Sequence, residues 1–468
     1  MNEQLKNNSQ NPLPGEDLES VYFIGIGGIG MSALARYFKA KGVRVSGYDK
    51  TPTALTRQLE KEGISIQYTD DAKLITLDAK MVVYTPAIPA THAGLVYYRQ
   101  YGYPVVKRSD VLEWITANSF NICVAGTHGK TTVSTMIAHI LRDSGYGCNA
   151  FLGGIAANYG TNFWSSEKNA VVVEADEYDR SFLKLSPDIA VITAMDPDHL
   201  DIYGTPEAVE DAFIEFSQKI KTGGCLVSKY GLKRTSELNI AQHTTYSYDA
   251  MEADVHAENM QVQVGAYLFD IVSAKWKLKN VVLHMGGLHN IENVIAAVAV
   301  AKYVGIDDDK IKTAVENFKG VKRRFEYIIK NEKRVLIDDY AHHPEELRAL
   351  ISGVRSLFPT KKMTIVFQPH LFSRTKDLAL EFAHSLDMAD EVILLPIYPA
   401  RELPMEGVTS KLILDQMKLA DKHIMDKEEL KKWVKDNQSK LLVMAGAGDI
   451  DAMVQPIKEL MESNDEKY

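Results

Sequence analysis

The sequence predicts an α/β protein of three units, each built on a mostly parallel sheet. Two observations carry this expectation. Short strand-like apolar runs alternate with helical patterns along most of the chain, which is the mark of βαβ units. The alternation also starts afresh twice, near residues 118–120 and 320–323, each time from a strand leading into a polar or Gly-bearing loop. The expected domains are 1–119, 120–321 and 322–468, and 468 residues suit two to four domains of roughly 100–200 residues each.

Composition excludes several function classes. The chain carries 53 basic and 62 acidic side chains, a formal charge of −9, with no basic stripe, so nucleic acid is not an expected partner. Hydrophobic residues make up 46% and charged residues 25%, as in ordinary globular proteins. Membrane insertion is not expected, because no apolar run approaches the roughly 18–20 residues of a span. Even 291–304 is interrupted by Glu292 and Asn293. The polar stretch Asn2 to Asp17 has no apolar segment of a secretory signal. Cys123, Cys148 and Cys225 are odd in number and widely spaced, which speaks against a disulfide framework or zinc site and for a reducing, cytoplasmic setting.

The first unit opens with Val21–Ile24, a turn Gly25-Ile26-Gly27-Gly28-Ile29-Gly30, a helix Met31 to Ala40 and a strand Val43–Val45, with further strands at Met81–Tyr84 and Val105–Val106. Gly25, Gly27 and Gly30 have the G-x-G-x-x-G spacing, and Asp49 follows about 20 residues on, as in a Rossmann-like site. The spacing lets a phosphorylated ligand approach a helix N-terminus but does not identify the nucleotide. A merely tight turn would read the same way.

The second unit begins with strand Asn121–Ala125, then Gly126-Thr127-His128-Gly129-Lys130-Thr131-Thr132, then a helix Val133 to Arg142. Unpaired N–H groups and the dipole at a helix start suit phosphate oxygens. Glycines let the backbone come close, Lys130 can neutralise β/γ-phosphate charge, and the Thr131 hydroxyl can serve Mg²⁺. Val124 stands where the usual pattern has its first glycine, so this P-loop-type turn is a shortened variant. Strands Ala170–Val173 and Ile189–Ala194 follow, and Glu174 and His199 lie just past them. Since Mg²⁺ prefers oxygen ligands, chemistry alone would nominate Asp198 or Asp196 over His199. From Met260 to Leu283 the period turns towards two, predicting antiparallel strands and hence a mixed sheet. Asn290 and Asn293 at the mouth of the next helix could bond an adenine edge, or be plain cap and surface residues.

The third unit follows Arg323-Arg324, a pair that could set a cation over a transferring phosphoryl group or be a solvated linker pair. Asp338-Asp339-Tyr340-Ala341-His342-His343-Pro344-Glu345 crowds more ionisable groups into one loop than packing requires. His370 and Arg374, after strand Met363–Phe367, form a second polar cluster, and Arg374 can hold a carboxylate bidentately. A cysteine or serine hydrolase is not expected, because Cys123 lies in a core strand and no G-x-S-x-G elbow occurs.

Taken together, Gly25 to Ser32, Thr85-Pro86-Ala87-Ile88, Gly126 to Thr132, Glu174-Ala175-Asp176-Glu177, Asp198-His199-Leu200-Asp201, His289-Asn290, Arg323-Arg324-Phe325 and Asp339 to Pro344 resemble the Mur ligases of peptidoglycan synthesis, in the family's order from about residue 20 to 455. The nearest branch of that family joins L-alanine to the lactyl carboxylate of UDP-N-acetylmuramate.

The resemblance implies a Rossmann-like UDP-binding domain, a central ATPase domain and a Rossmann-like amino-acid-binding domain, acting as a cytoplasmic monomer or homodimer that closes around its ligands. It implies ATP and Mg²⁺, with Mn²⁺ as an alternative, and an acyl-phosphate intermediate. Gly25, Gly27, Gly28, Ile29, Gly30, Asp49, Thr85 and Ala87 would hold the UDP-sugar. Gly126 to Thr132, His289, Asn290, Asn293, Arg324 and Asp339 would hold ATP. The metal shell would be Thr131, Glu174 and His199, so here the resemblance overrules Asp198. Lys130, Glu174, His199 and Arg324 would act in catalysis, with His342, His370 and Arg374 on the L-alanine side.

Two departures matter. Some members carry arginine directly after the histidine matching His370; Leu371 stands here, which shifts carboxylate recognition onto Arg374. Related ligases have a modified lysine on the helix after the metal histidine; Ala208–Gln218 has none, and Lys219 is not assigned a role. The alternatives are a ligase recycling a tripeptide onto the same UDP-sugar, a non-catalytic nucleotide-binding regulator, and an NAD-dependent oxidoreductase that would leave Gly126–Thr132 unexplained.

Overall fold

The computed structural model describes residues 18–71, 75–197, 200–400, 402–437 and 439–463. They fall into two compact units. One comprises the chain up to Ile155, Gly160–Val255 and Ile295–Ile311; the other comprises Ala156–Tyr159, His256–Val294 and the chain from Lys312.

The first unit holds a five-stranded sheet of β1 (Ser20–Ile24), β2 (Arg44–Tyr48), β3 (Ser65–Gln67), β4 (Met81–Tyr84) and β5 (Val105–Lys107). Its order is β3-β2-β1-β4-β5, all parallel. Every residue of β1 is buried, as expected of a parallel strand covered on both faces. Ile24 stands opposite both Tyr48 and Tyr84, so Gly25, Asp49 and Thr85 leave the sheet side by side. This carboxyl edge is where open α/β sheets bind ligands.

The same unit holds β6 (Phe120–Ala125), β7 (Asn149–Ala156), β8 (Thr161–Trp164), β9 (Ala170–Glu174), β10 (Ile189–Ile192), β11 (Cys225–Lys229) and β12 (His243–Ser247), in the order β12-β11-β10-β6-β9-β7-β8. Val124 on β6 faces Glu174 on β9, and Ala125 faces Ile192 on β10. The helix that follows starts at Lys130, three residues earlier than the apolar pattern suggested, because Gly129 takes a left-handed conformation and turns the chain into it.

Periodicity did not announce β7 and β8, since Gly153-Gly154 interrupts the first and the second is only four residues long. Both matter for the helix Ile29–Ala40, which packs on β8. Arg36 is 7% exposed and binds Glu62 through two nitrogens, each at 2.8 Å, while its third contact reaches Asn162 at 2.5 Å. Asn162 donates in turn to the carbonyl of Ile29 at 2.5 Å. Tyr37 packs its ring against Phe151 and Phe163.

The second unit contains β13 (Val255–Gln263), β14 (Ala266–Ser273) and β15 (Trp276–Leu283), and β14 and β15 pair antiparallel as the period of two predicted. A six-stranded sheet follows: β16 (Glu326–Lys330), β17 (Val335–Asp339), β18 (Met363–Phe367), β19 (Glu391–Leu394), β20 (Lys422–Ile424) and β21 (Leu441–Ala445), ordered β16-β17-β21-β18-β19-β20. β16 runs antiparallel to β17 and the other neighbours are parallel. Asp339, Ala445 and Phe367 lie in register, so the loops after β17, β21 and β18 leave one edge together. Among the described residues no helix is long and apolar enough to cross a membrane. All three cysteines are free and buried, and burial pushes the thiols of Cys148 and Cys225 up to about 12 and 11.

Arg36→Ala should destabilise the first unit by about 1–3 kcal/mol, because it takes the cation from the part-buried Glu62 carboxylate and a donor from Asn162 Oδ1. Denaturant unfolding would measure this; a loss under about 0.5 kcal/mol would show that the pair holds nothing.

Candidate functional site

Around the loop after β6 the backbone leaves no choice of residue at 126. Gly126 has φ +136°, and a β-carbon there would stand 2.1 Å from Thr193 Oγ1 and 2.8 Å from the backbone nitrogen of Ala194. The Thr193 hydroxyl donates to the carbonyls of Ala125 and His128, and Thr127 N–H donates to Ala194 at 3.2 Å, so the exit of β10 braces the loop. Gly129 leads directly into the helix Lys130–Asp143, with no side-chain cap on its first N–H groups. That combination is an anion cradle built of backbone.

Lys130 is largely shielded from water: its side chain is 14% exposed. Its ammonium donates to the Gly126 carbonyl at 2.7 Å and to Glu177 at 2.7 Å. Glu177 is 1% exposed, and the Tyr203 hydroxyl donates to its carbonyl at 2.7 Å. Glu177 was passed over in the sequence, although it stands in the Glu-Ala-Asp-Glu run after β9. Only the fold shows that it holds the loop lysine.

Thr131 donates to Glu174 Oε1 at 3.0 Å, and the other Glu174 oxygen accepts Gly153 N–H at 2.8 Å. Gly153 has no room for a side chain, since a β-carbon would lie 2.2 Å from that carboxylate. A hydroxyl and a carboxylate side by side are the hard oxygen donors that a small divalent cation takes, so this pair fits Mg²⁺. His199 and Asp198 lie outside the described residues. Asp196 N–H donates to Thr127 Oγ1 at 3.2 Å, which ties its segment to the loop. Lys219, at the end of its helix, pairs with Glu215 at 3.2 Å, and both side chains are exposed.

At the edge of the five-stranded sheet, Gly25 has φ +86°, and its N–H and that of Ile26 both donate to the Tyr48 carbonyl, at 2.8 and 3.0 Å. Asp49 does not hang free at the end of β2: its Oδ2 accepts Gly27 N–H at 2.7 Å. A β-carbon at Gly27 would meet that oxygen at 2.7 Å, and one at Gly25 would meet Thr85 and Ile88 side chains at 3.2 Å. Gly28 and Ile29 open the helix without a side-chain cap. Ile88 N–H closes a turn on Thr85 around Ala87.

In the second unit, Asp339 ends β17 and clamps two loops: it accepts Phe325 N–H and Ala341 N–H, each at 2.7 Å. Burial pushes its carboxyl up to about 6, against those two bonds and the charge of Arg324. Arg324 itself is exposed, whereas Arg323 takes φ +60°, stacks on Tyr340 and donates to the Gly446 carbonyl at 2.5 Å. Asn290 and Asn293 are 3% and 7% exposed, so neither is a surface residue. Asn290 donates to the Gly286 carbonyl at 2.7 Å and accepts from Asn293 at 3.1 Å. His289 beside them is exposed.

His342 and His370 lie with ring centroids 6.0 Å apart, and His370 stacks on Tyr398 at 5.8 Å. The His342 ring also meets the Tyr340 carbonyl at 3.0 Å and Glu346 at 3.2 Å. Burial lowers the pKa of both imidazoles, and Arg374 adds to it in each case. Leu371, directly after His370, adopts φ +70°, a strained value for a branched side chain. Among the described residues, two buried atoms here have no hydrogen-bond partner: His370 Nδ1 and Arg374 Nη1. A buried guanidinium nitrogen left without an acceptor marks a place for an anion.

Three family models cover nearly the whole chain: the Mur ligase family catalytic domain at residues 20–120, the Mur ligase middle domain at 124–301 and the Mur ligase glutamate ligase domain at 323–448. The chain belongs to the Mur ligase family. A UDP-N-acetylmuramate–L-alanine ligase of Phocaeicola vulgatus is 49% identical over 452 residues, covering 95% of this chain and 98% of that one. One of Cytophaga hutchinsonii is 48% identical over 457 residues, covering 95% and 97%. The crystal structure of a Thermotoga maritima UDP-N-acetylmuramate–alanine ligase superposes with TM-score 0.80 at 28% identity, covering 96% of this chain and all of that one.

Lys130→Ala should abolish turnover, but the lysine's partial burial changes the expected effect on folding. Removing it takes the cation away from the buried Glu177 carboxylate and should cost about 2–4 kcal/mol. Adding Glu177→Gln should restore part of the melting temperature and none of the activity. A double variant that turns over normally would remove the phosphate role of Lys130.

Proposed function

We propose that this protein is a cytoplasmic, ATP-dependent ligase that joins L-alanine to the lactyl carboxylate of UDP-N-acetylmuramate in peptidoglycan precursor synthesis. The observation that carries the amino-acid side of the reading is the unpartnered Arg374 nitrogen beside two histidines held neutral. The names of the full-length relatives support the same substrate pair.

In this reading a lactyl carboxylate oxygen attacks the γ-phosphorus of ATP, the bond to the β-bridging oxygen breaks, and ADP leaves. The acyl phosphate is then attacked by the amine of L-alanine, and the C–O bond to phosphate breaks. Lys130 leaves Glu177 and the Gly126 carbonyl for the β/γ-phosphates, so the cradle trades internal acceptors for ligand oxygens. Thr131 and Glu174 would hold Mg²⁺, with His199 completing the shell, and the cation when bound would offset phosphate charge.

Arg374 binds the alanine carboxylate through its guanidinium fork. Neutral His370 or His342 can take the proton that the ammonium group must lose before it attacks. Gly25 to Gly30, Asp49, Thr85 and Ala87 receive the UDP-sugar. Asn290, Asn293 and His289 serve the adenine side, and Arg324 and Asp339 the ribose or phosphates.

Phosphate release with ATP, Mg²⁺ and UDP-N-acetylmuramate, with and without L-alanine, tests the reading. Release should require all of them. Release that ignores L-alanine but follows a tripeptide would move the substrate, and no release from folded protein would end the ligase reading. Arg374→Ala should raise KM for L-alanine by about 10–100-fold while leaving KM for ATP unchanged.

The pH profile of kcat has a defined sign. Since burial lowers the pKa of both histidines, they stay neutral below the ordinary value of about 6.5, and activity should fall only as pH drops through their lowered values. An acid limb centred above pH ~7 would contradict their role as proton acceptors.

A further inference from the structure

Gly30 lies in the first turn of the helix Ile29–Ala40, and the space beside its Cα is taken by a side chain from outside its own loop. A β-carbon at this position would stand 2.3 Å from Arg108 Nη1 and 3.3 Å from its Cδ and Cζ. The guanidinium thus lies across the first turn, in the space that a side chain at 30 would fill. Beside the third glycine of the G-x-G-x-x-G run, in this chain, sits an arginine.

Arg108 is delivered there by its own helix, Arg108–Ala117, of which it is the first residue. Asp110 fastens that helix start: one oxygen accepts Lys107 N–H at 2.8 Å and the other pairs with Lys184. The charge of Arg108 is only loosely satisfied. Among the described residues its hydrogen-bond partner is Asp176 Oδ2, at 3.5 Å, the outer limit for such a bond. The two side chains are 24% and 40% exposed, so water still reaches both. Nearby, the helix Ile29–Ala40 has neither a side-chain cap from Gly28 nor an acidic residue in its first turn.

We infer that Arg108 is a substrate-binding residue whose guanidinium takes the diphosphate of the UDP-sugar received by the Gly25–Gly30 loop. This rests on the reading of that loop as the UDP-sugar site. The diphosphate is favoured over the lactyl carboxylate because Arg108 overlies the very turn whose free N–H groups suit phosphate oxygens. A planar fork can also span two of those oxygens at once. Asp176 meets the guanidinium only at the outer limit of hydrogen-bond distance, leaving most of its five N–H donors for the ligand.

Calorimetric titration of the full chain with UDP, UDP-N-acetylmuramate and ATP tests the assignment. Arg108→Ala should weaken UDP by about tenfold or more, and Arg108→Lys, which keeps the charge and loses the fork, by about threefold. ATP affinity should stay within about twofold in both. Asp176→Asn breaks the ion pair but keeps the guanidinium, and should leave UDP affinity within about twofold of the unsubstituted protein. Arg108→Ala protein that binds UDP as tightly as the parent overturns the inference and leaves the site reading standing. Weakened UDP-N-acetylmuramate with unchanged UDP would assign the arginine to the lactyl carboxylate instead, and so overturns the diphosphate role. Asp176→Asn reproducing the Arg108→Ala loss would make the pair structural and overturn it too. Unsubstituted protein that fails to bind UDP would bring down the site reading and the inference together.

Discussion

Carboxylates that accept backbone N–H groups hold the loops of this protein in place, and the rest of its chemistry depends on them. Asp49 takes Gly27 N–H at 2.7 Å, Glu174 takes Gly153 N–H at 2.8 Å, and Asp339 takes Phe325 and Ala341 N–H at 2.7 Å. Each sits at the carboxyl end of a parallel strand, or one residue past it, where a loop would otherwise be free to move. A charge-assisted bond to a backbone amide is short and directional, so it fixes loop geometry before any ligand arrives. Two of these clamps lie against glycines, Gly27 and Gly153, where any β-carbon would collide with the carboxylate.

The same economy explains the phosphate loop. Its cradle is backbone, shaped by Gly126 and Gly129, and its one strong cation is held ready by Glu177 and a carbonyl. A lysine parked on internal acceptors keeps its charge compensated in a site that is mostly shielded from water. In the second unit the opposite arrangement prevails: Arg374 Nη1 and His370 Nδ1 have no partner among the described residues. That cost is sustained by the sheet beneath, where Phe367, Ala445 and Asp339 stand in register and bring the polar loops to one edge.

Three of the eight positive-φ residues other than glycine among the described residues lie at the same places. Arg323, Phe325 and Leu371 all take positive φ without being glycine, and each adjoins a clamp or the histidine pair. Such conformations persist only where surrounding bonds over-determine them, here the Asp339 carboxylate for Phe325 and the Gly446 carbonyl for Arg323.

The α/β class, the alternation of strands and helices, and the Gly126–Thr132 loop were legible in the sequence by themselves, because buried parallel strands read as apolar runs and a glycine turn before a helix has local requirements. So were His370 and Arg374 as a polar pair after a strand. Other features had no local signature. β7 and β8 are short or interrupted by glycine, and their place is set by neighbours far along the chain. Glu177 read as one acid among four residues until the fold put it under Lys130. Asn290 and Asn293 could have been surface residues, and only packing buried them. Gly30 looked like part of a nucleotide motif, and only the fold shows that the guanidinium of Arg108, 78 positions away in sequence, lies beside it. Local propensity writes elements and turns into the sequence; which side chain fills the space a glycine leaves is decided by tertiary contact alone.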